Sequence, residues 1–418
     1  MSKVIFHIDM DSFFVSCERS KNESLINKPV VIASNLKRAI VTAMSYEVKN
    51  AGFKTGDPFY LVKDKIKDLI VIEPHYQLYS LMSKKIFNFL EQNFSKKIEI
   101  YSIDECYLDV TNAVRNFDSV LQLAKTIQEQ ILKVFKIPCS IGISYTKFLA
   151  KMSTNKAKPF GILQTKKEDI EKHFFDLSVK KIFGIGKASA KKLIYNNINT
   201  YSDLVNCQND VFLKSVFGKN YFIFIQNLKG LNITKEHVLP HEVKSISNSE
   251  TFMVADSNDE NYLINELKKI VKNVCERANN SNLEGNEITV SLIQKNKLWN
   301  SKHKKIGIWT NNYETIWNHV FLLFKEMWRE NEIRGLGIAL RGLRTIFNNY
   351  SSLNLFKLDN KNIIDKIINE QNFLEGKNQL KTLYQYSKEK QINTENIKFL
   401  RKNSKTKNKT INLEEKWK

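Results

Sequence analysis

Two strand-forming runs in this chain each carry a pair of carboxylates, which narrows the folds open to it. One is Val4-Ile5-Phe6-His7-Ile8-Asp9-Met10-Asp11-Ser12-Phe13-Phe14; the other is Tyr101-Ser102-Ile103-Asp104-Glu105-Cys106-Tyr107-Leu108-Asp109. Acidic groups at the ends of buried strands repel one another and lose hydration, a costly arrangement unless a cation neutralises them. Successive strand residues point to opposite faces, so Asp104 and Glu105 can share a site only where the backbone bends. In a chain with a formal net charge of +21, such convergence indicates Mg²⁺-assisted chemistry on phosphates.

At 418 residues the chain is too long for one ordinary core, and several domains are expected. The basic excess calls for a polyanionic partner, most simply nucleic acid. Five scattered cysteines form no Cys-x-x-Cys pair, so neither a zinc site nor a disulfide framework is indicated. No signal-like N-terminus is visible, and no apolar run approaches the roughly 18 residues of a membrane span. The expectation is a soluble, cytoplasmic protein without membrane contact.

Residues 1 to about 165 read as α/β. Strands are expected at Val4–Ile8, Val30–Ile32, Ala39–Thr42, Ile98–Ile103, Cys106–Val110 and Cys139–Ser144, with amphipathic helices at Leu78–Phe94 and Val120–Phe135. This order is that of a split βαβ sheet with one covered face and one left open to a large substrate. A small subdomain with turn chemistry at Gly52, Gly56 and Pro58 interrupts it between about 12 and 75. The pattern from 166 to 236 is helical, and a polar linker follows. Residues 244–344 repeat a strand-helix-strand-strand-helix-strand unit. A basic Asn/Lys-rich tail closes the sequence, with one helix expected at Asn362–Phe373.

The acidic runs resemble the two metal-site motifs of Y-family DNA polymerases, the DinB/UmuC group that copies damaged templates, and the resemblance extends in order from residue 3 to about 344. It implies an α+β multidomain right-hand polymerase with a ferredoxin-like palm (1–11 and 76–165) and small fingers (12–75). A helical thumb with a helix-hairpin-helix (166–236), a linker (237–243), a βαββαβ little finger (244–344) and a tail (345–418) would complete it. Asp9, Asp104 and Glu105 are then the catalytic acids; with the main-chain carbonyl of Met10 they would bind two Mg²⁺ ions. Asp11 has a local structural role. Phe13 and Phe14 meet the nucleotide, Phe14 as the steric gate that excludes a 2′-hydroxyl. Tyr46, Lys49 and Lys158 match the family's triphosphate contacts, with Lys49 where arginine is usual and Ser12 where tyrosine is usual. A lysine there offers a point charge in place of a bidentate fork.

Phe183-Gly184-Ile185-Gly186-Lys187 resembles the hairpin of a helix-hairpin-helix. Gly184, Gly186 and Lys187 would bring backbone N–H groups to a DNA phosphate without reading sequence. Lys244, Lys295, Lys304, Lys305, Arg334, Arg341 and Arg344 are further candidate phosphate contacts. Ser352-Leu353-Asn354-Leu355-Phe356 resembles the peptide that bacterial polymerases insert into the sliding clamp, anchored by Leu353, Leu355 and Phe356. The implied partners are primer–template DNA, deoxynucleoside triphosphates and a sliding clamp, with the chain a monomer. Two rivals are a nucleotidyl cyclase, which should lack the hairpin and second basic domain, and a catalytically silent DNA-binding paralogue, which should lack a ligand. DinB and UmuC branches both stay open.

Overall fold

The computed structural model describes residues 3–231, 238 and 243–346. Strand β1 (Ile5–Met10) runs into helix α1 (Phe13–Lys21), followed by β2 (Val30–Ile32), β3 (Ala43–Met44), α2 (Tyr46–Asn50), α3 (Phe59–Lys65) and β4 (Ile70–Ile72). Next come α4 (Tyr76–Asn93), β5 (Ile98–Ile100), β6 (Glu105–Asp109), α5 (Val120–Phe135), β7 (Cys139–Ser144), α6 (Lys147–Ala157) and β8 (Ile162–Gln164).

The first sheet has the order β5-β6-β1-β7-β8, with β1 antiparallel to both neighbours. Strand alternation divides β1 between two surroundings. Phe6, Ile8 and Met10 enter a core shared with Ile86, Leu90, Leu123 and Ile127 of α4 and α5. Ile5, His7 and Asp9 face the other way, where Ile5 packs with Ala150 of α6 and His7 meets Thr154 of that helix. The expected open face is therefore covered over β1 and β7. Thr146 caps α6 by accepting from the Leu149 amide at 3.2 Å.

Gly142 in β7 is what lets α6 lie so close. A Cβ there would overlap the Ala150 carbonyl oxygen and the Thr154 amide, both backbone atoms with nowhere to move. Gly142→Ala is expected to destabilise the protein by about 3 kcal/mol, measurable by urea unfolding. A variant as stable as wild type would contradict this packing.

The inserted segment builds its own sheet, β3-β2-β4, over a core of Val31, Val41, Met44, Phe59 and Val62. The strand expected at Ala39–Thr42 is displaced to β3. Residues 39–41 instead hydrogen-bond Asp57 and Phe59 through Val41 N–H to Asp57 O and Phe59 N–H to Ala39 O, each 2.9 Å. Helices α7 (Ile170–Phe174), α8 (Lys187–Tyr195), α9 (Tyr201–Asn206), α10 (Asp210–Phe217) and α11 (Tyr221–Leu228) form the helical part. Its core includes Phe148, Leu149 and Met152 of α6, so that helix belongs to two cores.

Beyond residue 243 lie β9 (Ser245–Thr251), α12 (Glu260–Asn280), β10 (Leu283–Gln294), β11 (Trp299–Thr310), α13 (Tyr313–Met327), β12 (Ile333–Arg341) and β13 (Arg344–Thr345). The sheet order is β11-β10-β12-β9. Helices α12 and α13 cover one face with Leu267, Val271, Val320 and Phe324 against Ile288, Val290 and Leu336. Arg38 of the inserted segment reaches this domain, donating to the Phe252 carbonyl at 3.1 Å and to Asp256 at 2.5 Å.

Candidate active site

Register places the acids before any side chain is considered. Asp9 stands opposite Glu105 on β6 and Ser140 on β7, and the Met10 amide donates to the Asp104 carbonyl at 2.9 Å. Residues 102–104 form a bend before β6, where the amides of Tyr101 and Ser102 both donate to the Glu105 carbonyl. That bend brings Asp104 and Glu105 to the same end of β1.

The cluster is tightly compensated. Lys151 on α6 donates to Asp9 Oδ2 at 3.2 Å and, more closely, to Glu105 Oε2. Lys158, just past α6, stands 2.5 Å from Asp9 Oδ1. The Thr154 hydroxyl donates to the His7 carbonyl and pairs with His7 Nδ1, each at 2.9 Å. His7 Nε2 faces the cluster, 3.2 Å from Glu105 Oε2.

Burial lowers the His7 pKa. For Glu105 burial acts to raise the pKa, but hydrogen bonding to His7 and Lys151 outweighs it and holds the carboxyl at about 2. Asp104 goes the other way: burial, with the charges of Asp9 and Glu105, raises it despite a 2.5 Å hydrogen bond from Ser102. Carboxylate oxygens of this density, with an imidazole nitrogen among them, fit a divalent cation. Ligand atoms of His7, Asp9 and Glu105 lie within 4.8 Å of one another. The carboxylate majority suits a hard cation of the Mg²⁺ or Mn²⁺ kind.

Asp11 is buried and ties four segments together. It accepts from the Tyr46 hydroxyl, the Ser140 hydroxyl and the Phe160 amide, each at 2.9 Å. The Tyr46 hydroxyl, expected at the triphosphate, here donates to Asp11. Lys49 donates to Ser12 Oγ at 2.9 Å and lies 4.2 Å from the centre of the Tyr46 ring. Burial and the charge of Lys158 lower the Lys49 pKa. The two family departures, Ser12 and Lys49, thus touch each other.

The Phe13 ring is buried in the β1 core, leaving its main chain for a ligand. Phe14 is half-buried and stacks on Tyr79 with centroids 4.3 Å apart. Tyr79 is fixed by donating to Glu18 at 2.6 Å.

In the helical part, Gly184 adopts φ 87°, a conformation that disfavours other residues, and Gly186 caps α8, which begins at an exposed Lys187. On the C-terminal sheet the uncovered face carries Ser247, Thr289, Ser291, Ser301, His303 and Arg341 around a trough of about 460 Å³. Lys304 pairs with Ile288 of the covered face, beside the Lys302–Glu326 ion pair of 2.6 Å. Lys305, opposite Glu287, falls on the uncovered face instead. Lys244 is exposed, Lys295 pairs with Glu332 at 3.6 Å, and Arg344 pairs with Glu284 at 2.7 Å. Arg334 is the half-buried extra residue where the β10–β12 register shifts. Leu353, Leu355 and Phe356 lie outside the described residues.

Sequence reasoning missed His7, Lys151 and Ser140. A signal existed for Lys151: Thr146 followed by Phe148, Leu149 and Met152 has helical spacing behind a capping residue.

A basic multidomain chain whose carboxylates meet at the end of a mixed sheet has the build of a metal-dependent phosphoryl-transfer enzyme. The family model described as impB/mucB/samB family matches residues 8–155, and that of the impB/mucB/samB family C-terminal domain matches 243–355. DNA polymerase IV of Oceanobacillus iheyensis is 33% identical over 357 residues, spanning 85% of this chain and 84% of that protein. DNA polymerase IV of Ureaplasma parvum serovar 3 is 31% identical over 344 residues, spanning 82% and 94%. Among solved structures, a Y-family DNA polymerase chimera of Dbh and Dpo4 gives a TM-score of 0.71 at 27% identity, covering 82% of this chain and 99% of that one. The insertion ternary complex of Dbh DNA polymerase gives 0.59 at 26% identity, with the same coverages. The chain belongs to the impB/mucB/samB family of Y-family polymerases, DNA-directed DNA polymerases of the translesion type. The cyclase reading falls with that membership, and the silent paralogue would lack a ligand where Asp9, Asp104 and Glu105 are all present. No helix among the described residues is long and apolar enough to cross a membrane.

Proposed function

We propose that this chain extends a primer 3′-hydroxyl on template DNA with deoxynucleoside triphosphates, using two Mg²⁺ ions held by Asp9, Asp104, Glu105 and the Met10 carbonyl. The ions, when bound, supply neutralisation of phosphate charge and a lowered pKa for the attacking hydroxyl. The observation that carries the reading is the meeting of Asp9 and Glu105 on lysine-paired oxygens at one end of β1, with the Asp104 main chain bonded to Met10 beside them.

Each remaining role belongs to a residue already located. Lys158 and Lys49 offer cationic donors to the triphosphate, and Lys158 exchanges its Asp9 contact for a phosphate oxygen when the nucleotide arrives. Tyr46 and Asp11 hold the inserted segment against the sheet, so the lysines approach from a fixed direction. Phe14, backed by Tyr79, forms the floor under the sugar. Gly184, Gly186 and Lys187, with Lys244, Lys305 and Arg341, contact phosphates, and binding weakens steeply with added salt. Primer extension with Mg²⁺ and the four deoxynucleotides tests the reading; a chain that binds primer–template but adds nothing would refute it.

The chain acts as a cytoplasmic monomer that docks on a sliding clamp through Leu353, Leu355 and Phe356. The support is the peptide's likeness to clamp-binding sequences. Replacing Leu355 and Phe356 together by alanine is expected to abolish clamp-stimulated synthesis, roughly a tenfold effect or more given that buried anchors carry most peptide affinity. Basal extension should survive. Equal loss of both activities would count against docking.

A further inference from the structure

Lys151 belongs to none of the motifs that the sequence singles out, yet it bridges two acids of the cluster. Helix α6 lays it across β1, where its largely buried side chain reaches Asp9 Oδ2 and Glu105 Oε2 together. Lys158 takes the other oxygen of Asp9. Both oxygens of Asp9 and one of Glu105 therefore already face an ammonium group, and these are the oxygens a divalent cation would use. Two carboxylates brought together on adjacent strands repel; an ammonium between them removes that repulsion and fixes their separation. It also stands where it repels an incoming cation.

We propose that Lys151 is a positioning residue that sets the divalent-cation affinity of the centre, drawing Asp9 and Glu105 together while competing for their oxygens. The inference rests on reading Asp9, Asp104 and Glu105 as a cation centre. A single ammonium suits both tasks, because its flexible four-carbon stem can withdraw without dismantling a fork of hydrogen bonds. Lys158 differs in being more exposed and in touching Asp9 alone among the acids of the cluster, so it has a path toward a phosphate.

The test is Mn²⁺ titration of the full chain, with free Mn²⁺ counted by electron paramagnetic resonance, alongside melting curves with and without the metal. Lys151→Gln is expected to bind Mn²⁺ about tenfold more tightly than wild type, since a positive charge ~4 Å from a divalent cation is strongly felt even when screened. The same variant should melt lower without Mn²⁺ and gain more from its addition. Lys151→Arg, which keeps the charge, should not bind Mn²⁺ more tightly than wild type. Should Lys151→Gln fail to fold alone, its refolding on Mn²⁺ addition supports the proposal, and failure to refold at concentrations saturating wild type overturns it. Mn²⁺ affinity that is unchanged or weaker in a folded Lys151→Gln also overturns it, leaving the cation centre intact. Absence of saturable binding in wild type, or binding that persists in Asp9→Asn, would bring down the centre itself.

Discussion

Asp104→Asn is expected to lower primer extension by about a thousandfold or more, equivalent to roughly 4 kcal/mol of transition-state stabilisation, while leaving the fold intact. The asymmetry follows from the surroundings of Asp104. Burial and the charges of Asp9 and Glu105 raise its pKa, so its ionised form is disfavoured in the folded protein. A neutral amide relieves that repulsion and still accepts from Ser102. Melting temperature should therefore hold or rise slightly even as catalysis collapses. The measurements are single-turnover extension, DNA affinity and a melting curve on the same preparation. Activity within tenfold of wild type would remove Asp104 from the centre; lost DNA binding or folding would assign it a structural role.

Phe14→Ala is expected to relax discrimination against ribonucleotides by about a hundredfold, close to 2.7 kcal/mol, with deoxynucleotide incorporation retained. The ring has little room to retreat. It lies nearly parallel to Tyr79, 4.3 Å away and inclined by 11°, while Tyr76 meets its edge at 6.2 Å. Tyr79 in turn is locked by its hydrogen bond to Glu18, which His75 also contacts at 2.8 Å. A 2′-hydroxyl placed against such a backed ring meets a surface that does not yield. The check is the ratio of kcat/KM for a deoxynucleotide to that for its ribonucleotide. An unchanged ratio would show that Phe14 is only a packing residue.

The acidic motifs and the order of elements were legible because they rest on local patterns. Alternation in Val4–Ile8, the bend required before Glu105 and the helical spacing of Val120–Phe135 need no partner to be recognised. What escaped depended on contacts between distant segments. Strand β8 is three residues long, too short to show any period. Lys151 reads as a solvated helix residue until Asp9 and Glu105 appear beneath it. The face chosen by Lys304 or Lys305 depends on their pairing with Ile288 and Glu287 of the partner strand, which composition does not encode. Phe13 and Phe14 are adjacent and alike, and only the packing of α1 sends one inward and leaves the other half-buried. The direction of the Tyr46 hydroxyl was likewise fixed by Asp11, 35 positions away.

Helix α6 plugs Phe148 and Met152 into the helical layer while holding Lys151 over the acids and ending at Lys158. It is a stiff rod shared by two bodies, only a few turns long. A tilt of the helical layer by a few degrees would slide both ammonium groups relative to Asp9. The stance of that layer and the charge balance of the acids are geared through one short lever.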